Sequence, residues 1–143
     1  MKLLVWPESY GIVKLGVSED LPQWAMSSPF VSFTRVQSQS KTEELSIVSL
    51  EKSIPAKVER QGGFKCVEIE GPLAFTETGI LDSMISPLSE EKISIFTVST
   101  FNTDFIFIPG AKMDLATSLL ERHGFELGMR DLKIDKRSKG SIH

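Results

Sequence analysis

The chain has 143 residues, of which 41% are hydrophobic and 24% charged, and its formal net charge is -3. These values are ordinary for one compact domain or two small fused ones, and they argue against disorder along most of the length. The slightly acidic balance excludes a broad basic surface for nucleic acid. A single cysteine, Cys66, and two histidines exclude an internal disulfide and a Cys/His zinc site.

The N-terminus carries no targeting signal that we can identify. Four apolar residues in a row, starting at Leu3, are followed by Pro7 and Glu8, which is too short for the apolar region of a secretory signal. No apolar run approaches the roughly 18 residues that a membrane span requires. The lone cysteine also fits a reducing compartment. We therefore expect a cytoplasmic protein that does not enter a membrane.

The first half of the chain is predicted to be rich in strands. Clusters of β-branched and aromatic residues indicate strands at 10–15, 30–36, 45–50 and 64–70. In the last of these, Val67 and Ile69 alternate with more polar residues, which is the period of a strand with one buried face. The helix signals are weak: a short helix at 18–26 is interrupted by Pro22, and one helical turn is expected around 51–56.

The second half carries stronger helix signals. Apolar residues spaced along one helical face predict a helix over 79–91, for which Thr76 and Thr78 are candidate N-caps. Pro87 should kink this helix or end its regular part early. Strands are expected at 93–101 and 104–108, a second helix at 114–123 with Gly124 as its C-cap, and a final strand at 125–129.

Both halves therefore show the order βαββαβ. We predict an α+β fold of tandem ferredoxin-like units, with antiparallel sheets that carry helices on one face. The predicted boundaries are 1–63 for a degenerate N-terminal unit, 64–130 for a better-formed C-terminal unit and 131–143 for a basic tail. That tail is more typical of a solvated terminus than of a nucleic-acid arm.

Three runs in the chain, at 67–73, 78–81 and 93–104, resemble an ACT domain. The most specific part is Ile93-Ser94-Ile95-Phe96 followed by Ser99-Thr100-Phe101 and Asp104. The whole pattern is similar to small tandem-ACT proteins and to the ACT domains of arginine sensors of the CASTOR type. The resemblance runs from about Leu3 to Met129, and it implies a regulatory protein that binds a free amino acid without catalysis or a cofactor.

The resemblance also implies a site. ACT domains hold their ligand at an interface between two domains, near the loop that opens the first helix. Carried over by position, the ligand-binding residues would be Gly79, Ser99, Thr100, Phe101, Asp104, Glu77 and Ile80. Because the chain is half as long as those sensors, a composite site would require a second chain, and a homodimer is expected. The ligand could be arginine or another amino acid, and a regulated protein partner is possible.

The residues themselves agree with this site and also allow simpler interpretations. A helix beginning near Gly79 presents unpaired N–H groups that suit a carboxylate, and Asp104 could hold an ammonium group. Asp104 could equally be an ordinary turn acid, and Ser99 and Thr100 ordinary strand residues. The alternative function is a ligand-free structural or protein-interaction module of the same fold. An enzyme is a third hypothesis, with no catalytic motif and no metal set to support it.

Overall fold

A computed structural model describes residues 1–37, 43–71 and 79–131 of the chain. It confirms the α+β class, with antiparallel strands and two α-helices in the described residues. The candidate N-caps Thr76 and Thr78 lie outside those residues. The elements are β1 (Lys2–Leu15), β2 (Ser32–Val36), β3 (Glu44–Leu50), β4 (Gln61–Ile69), α1 (Ile80–Glu90), β5 (Phe96–Ser99), β6 (Asp104–Pro109), α2 (Met113–Arg122) and β7 (Glu126–Met129).

One sheet of seven strands contains every described strand, in the order β2-β3-β1-β4-β6-β5, with β7 beside β1. The first part of β1 pairs antiparallel with the end of β4 and parallel with β7, and its last part pairs with β3. A self-contained second unit would pair its first strand, β4, with its last strand, β7. In this structure β1 lies between those two strands. The two halves of the chain therefore share β1 and β4.

The strand predicted at 10–15 begins eight residues earlier, at Lys2. Proline lacks the N–H that a strand ladder uses, so Pro7 disfavours a regular strand at this position. Pro7 lies where the register between β1 and β4 shifts, between Val5 and Ser9. Proline is tolerated at such a bulge, so β1 continues through it.

Both α-helices pack on one face of the sheet. Met84 and Leu88 of α1 and Leu120 of α2 are fully buried in a core with strand residues such as Ile69 and Ile106. Pro87 is buried inside α1, which continues to Glu90 rather than ending early. No helix in the described ranges is long and apolar enough to cross a membrane.

The single helical turn expected around 51–56 is present as a 3₁₀ turn at Glu51–Ser53, whereas the helix expected at 18–26 is only a 3₁₀ turn at Gln23–Ala25. Pro22 has an extended conformation (φ -71°, ψ 150°), so a helix cannot run through it from residue 18. The described residues of the first half therefore contain no α-helix, and the tandem repeat stays a prediction.

The opposite face of the sheet carries a cluster of aromatic residues, including Trp6, Tyr10, Phe30, Phe105 and Phe107. The ring centres of Phe30 and Phe105 are 4.8 Å apart. Phe30 precedes β2, and three strands separate β2 from β6, so a flat sheet would hold them about 19 Å apart at roughly 4.8 Å per strand. The Phe30 ring therefore lies across this face of the sheet, and the cluster buries the side that no described α-helix covers.

Candidate functional site

The β5–β6 hairpin ends in a pair of polar side chains. Ser99 and Asp104 are partners across the two strands, and the Ser99 hydroxyl donates a hydrogen bond to Asp104 Oδ1. Asp104 is in phase with Ile106, whose side chain packs in the core beneath the helices. The pair therefore lies on the helix-bearing face of the sheet, at the hairpin end.

The tip of the same hairpin is fixed by threonines. Thr100 N donates to the carbonyl of Thr103 at 2.8 Å, which encloses a two-residue loop of Phe101 and Asn102. The Thr100 hydroxyl donates to the same carbonyl at 3.1 Å. The buried Thr103 hydroxyl donates to the carbonyl of Ile69 at 2.7 Å and so ties the tip to the end of β4. The hairpin end is thus held in place by its own hydrogen bonds.

Helix α1 begins at this end of the sheet. It runs back along β5, since its C-terminus leads after a few residues into the start of β5, whose last residue is Ser99. Gly79 precedes α1 with a left-handed φ of 86°, and its carbonyl accepts from Ser83 N at 2.9 Å. A Cβ added to Gly79 would meet no atom of the described residues within 4 Å, so those residues leave the space beside it open.

The predicted site residues differ in their exposure to solvent. Ser99, Thr100 and Gly79 are exposed and Asp104 is half-buried, whereas Ile80 packs against the helix-side core. Phe101, at the hairpin tip, is 82% exposed. Glu77 lies outside the described residues.

The charge at the hairpin end is not neutralised by a basic side chain of the described residues. Their ion pairs are Lys52–Glu8 and Arg130–Glu68, and neither involves Asp104. Asp104 therefore keeps its capacity to accept from a cationic group while it holds Ser99. The same part of the chain contains no group of three or more His, Cys, Asp or Glu side chains that could bind a metal ion.

Sequence reasoning missed two contributors to this geometry and its surroundings. Nothing in the residues around Thr103 indicates its bond to a carbonyl 34 positions away. Glu68 and Arg130 form an ion pair across 62 positions on the other face of the sheet. Pairs so distant in sequence require the strand register to be known.

Comparisons with known proteins connect this geometry to a family. The model for the ACT domain matches residues 59–122, and a second model, for an N-terminal domain, matches residues 8–57. A curated relative, the rat (Rattus norvegicus) protein named cytosolic arginine sensor for mTORC1 subunit 1, is 32% identical over 69 residues. That match covers 48% of this chain but only 21% of the relative.

Solved structures extend the likeness to nearly the whole chain. Protein Atu0741 from Agobacterium tumefaciens is 42% identical, with a TM-score of 0.81 over 91% of this chain and 93% of that one. VC0802 from Vibrio cholerae, titled a protein of unknown function and possible transport protein, has a TM-score of 0.65 at 17% identity over 85% and 88%. The structure of the aspartokinase alpha and beta subunits has a TM-score of 0.57 at 14% identity, over 86% of this chain and 97% of that one. VC0802 and the aspartokinase therefore share the fold of this chain. Residues 59–122 of the chain therefore match the ACT domain, whereas residues 8–57 match a different domain model.

Proposed function

We propose that this protein binds a free amino acid at the hairpin end of its ACT domain and passes the occupancy to a protein partner. The single observation that carries the proposal is the Ser99–Asp104 pair. It lies on the helix-bearing face, at the end where α1 begins, and has no basic partner among the described residues. In this proposal Asp104 accepts from the ligand's ammonium group or a cationic side chain.

The start of α1 would hold the other end of the ligand. The first N–H groups of a helix have no intrahelical acceptor and carry partial positive charge, which suits a carboxylate. The described residues leave the space beside Gly79 open. An amino acid placed between them and Asp104 would have both its charges matched, with Ser99 and Thr100 supplying hydroxyl groups.

We propose that a second copy of the chain completes the site. The pair and the residues around it are largely exposed, and a site that discriminates among amino acids must remove most of the ligand from water. A homodimer that covers the hairpin end would supply the missing wall. The rat arginine sensor named above makes arginine the first ligand to test, and a cytoplasmic location is part of the proposal.

The domain organisation is part of the same proposal. We propose that residues 1–63 form a degenerate ACT-like unit, residues 64–130 the ligand-binding ACT unit, and residues 131–143 a basic tail. The separate match of an N-terminal domain model to residues 8–57 supports a first unit that has diverged from the second. Because β1 lies between β4 and β7, such units would not be independent in folding.

The experiment is thermal unfolding of the purified protein against the free amino acids at millimolar concentration. A ligand present at 100 times its Kd adds about 2.7 kcal/mol to the free energy of unfolding. In a chain of this length that is a rise in Tm of several degrees. We expect one amino acid, or a small related group, to produce this rise.

Two variants decide whether the shift comes from the proposed site. Asp104→Ala should abolish the shift, whereas Asp20→Ala, an exposed acid between β1 and β2, should keep it. Sedimentation of the protein with and without the active amino acid tests the dimer. A folded Asp104→Ala variant that binds as tightly as the parent would contradict the site, and a flat panel would favour a ligand-free interaction module.

A further inference from the structure

A second polar site lies on the aromatic face of the sheet, where β4, β1 and β7 run side by side. Leu3, Ile69 and Leu127 pack on the helix side of these strands, so their immediate neighbours in sequence face the other way. The register brings Leu4 between Glu68 and Gly128 on that opposite side. This site is therefore separated from Asp104 by the thickness of the sheet.

An arginine is held rigidly in this second site. Glu68 Oε1 accepts from Trp6 Nε1 at 2.9 Å and from Arg130 Nη1 at 3.3 Å. The Arg130 guanidinium also lies over the Trp6 ring, 5.3 Å from its centre. The Glu68 side chain is only 13% exposed, while that of Arg130 is 35% exposed. A guanidinium has five N–H donors, so Arg130 can bind an anion while it keeps its contact with Glu68.

A cavity of about 340 Å³ opens beside this arginine. Its walls are Leu4, Glu70, Met129, Arg130 and Asp131. This volume is within the range of roughly 300–1,000 Å³ typical of small-molecule sites. The lining combines a cation held by Glu68, two carboxylates and the apolar side chain of Leu4. An ordinary ion site would not need the apolar wall, and an apolar site would not need both charges.

We infer that this cavity binds a free α-amino acid with an apolar side chain, as a second ligand site on the face opposite Asp104. The carboxylate of the ligand binds the Arg130 guanidinium, because an arginine donates paired hydrogen bonds to a carboxylate. The ammonium group binds Glu70, and the side chain lies against Leu4. The inference uses none of the residues of the first site and stands without it.

Trp6 provides a direct readout, because its ring touches both Arg130 and, through its N–H, Glu68. Trp24→Phe leaves Trp6 as the one tryptophan of the chain. We would titrate this protein with leucine and with methionine and follow the Trp6 emission. Isoamylamine and isocaproic acid, which are leucine without its carboxylate and without its ammonium group, test the need for both charges.

The expected result is a saturable change of Trp6 emission with leucine or methionine and a weaker response to either analogue. Glu70→Gln should raise the Kd roughly tenfold or more, since it removes a charge-assisted hydrogen bond. Glu70 is exposed, so this variant should fold. Glu121→Gln, an exposed acid on α2, should leave the Kd unchanged.

Four outcomes would overturn the inference. They are no saturable change up to millimolar leucine and methionine, an unchanged Kd in folded Glu70→Gln, an analogue that binds as tightly as leucine, and a response that disappears in Asp104→Ala. The last would mean that Trp6 reports on the first site. Failure of the first site alone would leave the leucine response in place, so the two proposals fail separately.

Discussion

Thr103 is a buried polar residue whose hydroxyl joins the hairpin tip to the carbonyl of Ile69. Thr103→Val keeps the shape of the side chain and removes the donor, so the Ile69 carbonyl loses its partner. We expect the variant to lose about 1–2 kcal/mol of unfolding free energy, measured by chemical denaturation. Thr97→Val, the same change at an exposed position of β5, should cost less than about 0.5 kcal/mol. Equal stability of the two variants would contradict this role.

Cys66 and Tyr10 are buried together in the aromatic cluster, and both should make stability sensitive to alkaline pH. Burial raises the pKa of the Cys66 thiol and of the Tyr10 phenol, first by desolvation and then by nearby negative charge. The folded state then keeps both protons, while the unfolded chain begins to release them near the ordinary pKa values of 9.0 and 10.0. The unfolded state binds fewer protons, so stability falls as pH rises.

The measurement is the free energy of unfolding from pH 8 to 11, the interval that contains both ordinary pKa values. Each group should contribute a slope approaching about 1.4 kcal/mol per pH unit once its unfolded form ionises. Tyr10→Phe should flatten the decline above pH 10. It should cost little at neutral pH, because the Tyr10 hydroxyl has no hydrogen-bond partner in the described residues. A decline as steep as the parent's would show that other groups cause it.

Residues next to one another in sequence could be predicted as a group, and residues far apart could not. Ser99 and Asp104 stand in one recognisable run, so the sequence places them on one hairpin. Glu68 and Arg130 meet because β4, β1 and β7 are neighbours, which depends on the unexpected first part of β1. For that reason, the second site could not be predicted from the sequence.

Among the strands, β4 contains a backbone conformation that favours glycine. Gly63 has φ of 76°, and its N–H donates to Glu51 Oε1 at 2.8 Å. Its Cβ position is open, so the cost of a side chain there is conformational. We expect Gly63→Ala to lower the unfolding free energy by about 1–2 kcal/mol. Gly63→Asn should cost less, because asparagine tolerates this region better.

Thermal unfolding of the two Gly63 variants checks this prediction. The order expected for Tm is parent, then Gly63→Asn, then Gly63→Ala. If alanine is tolerated as well as asparagine, the strand has relaxed out of the left-handed conformation. Loss of the Glu51 contact would be excluded as the cause if Glu51→Ala, which removes the acceptor, remains as stable as the parent.

The helices show which elements could be predicted. Residues 80–90 carry an apolar stripe that survives Pro87, since the ring of Pro87 is itself buried in the core. The first half lacks any such stripe, and its turns at Gln23–Ala25 and Glu51–Ser53 stay short. The local sequence pattern therefore predicted correctly the two helices that have a buried face. It failed at residues 18–26, where Pro22 sets an extended backbone conformation.

At the scale of the whole molecule, the aromatic cluster joins the two halves of the chain. Phe30 contacts Trp6 and Tyr10 of β1 and also Phe105 and Phe107 of β6, with centre distances of 4.8–6.2 Å. Trp6 of the same cluster also lies beside Arg130. Since β1 and β4 already run through both halves, we expect the protein to unfold as one cooperative unit.

Phe30→Ala tests this coupling. Replacing a buried phenylalanine by alanine costs roughly 3–5 kcal/mol, and here the loss falls on contacts between the halves. Phe33→Ala, in the neighbouring strand and 38% exposed, should cost far less.

In the parent, denaturation followed by Trp6 emission in the Trp24→Phe protein should coincide with loss of secondary structure. In Phe30→Ala the emission change should come first, because the ring that covers Trp6 is gone while the helix-side core remains. Coincident transitions in Phe30→Ala, with a stability loss no larger than that of Phe33→Ala, would contradict a coupling of the two halves through Phe30.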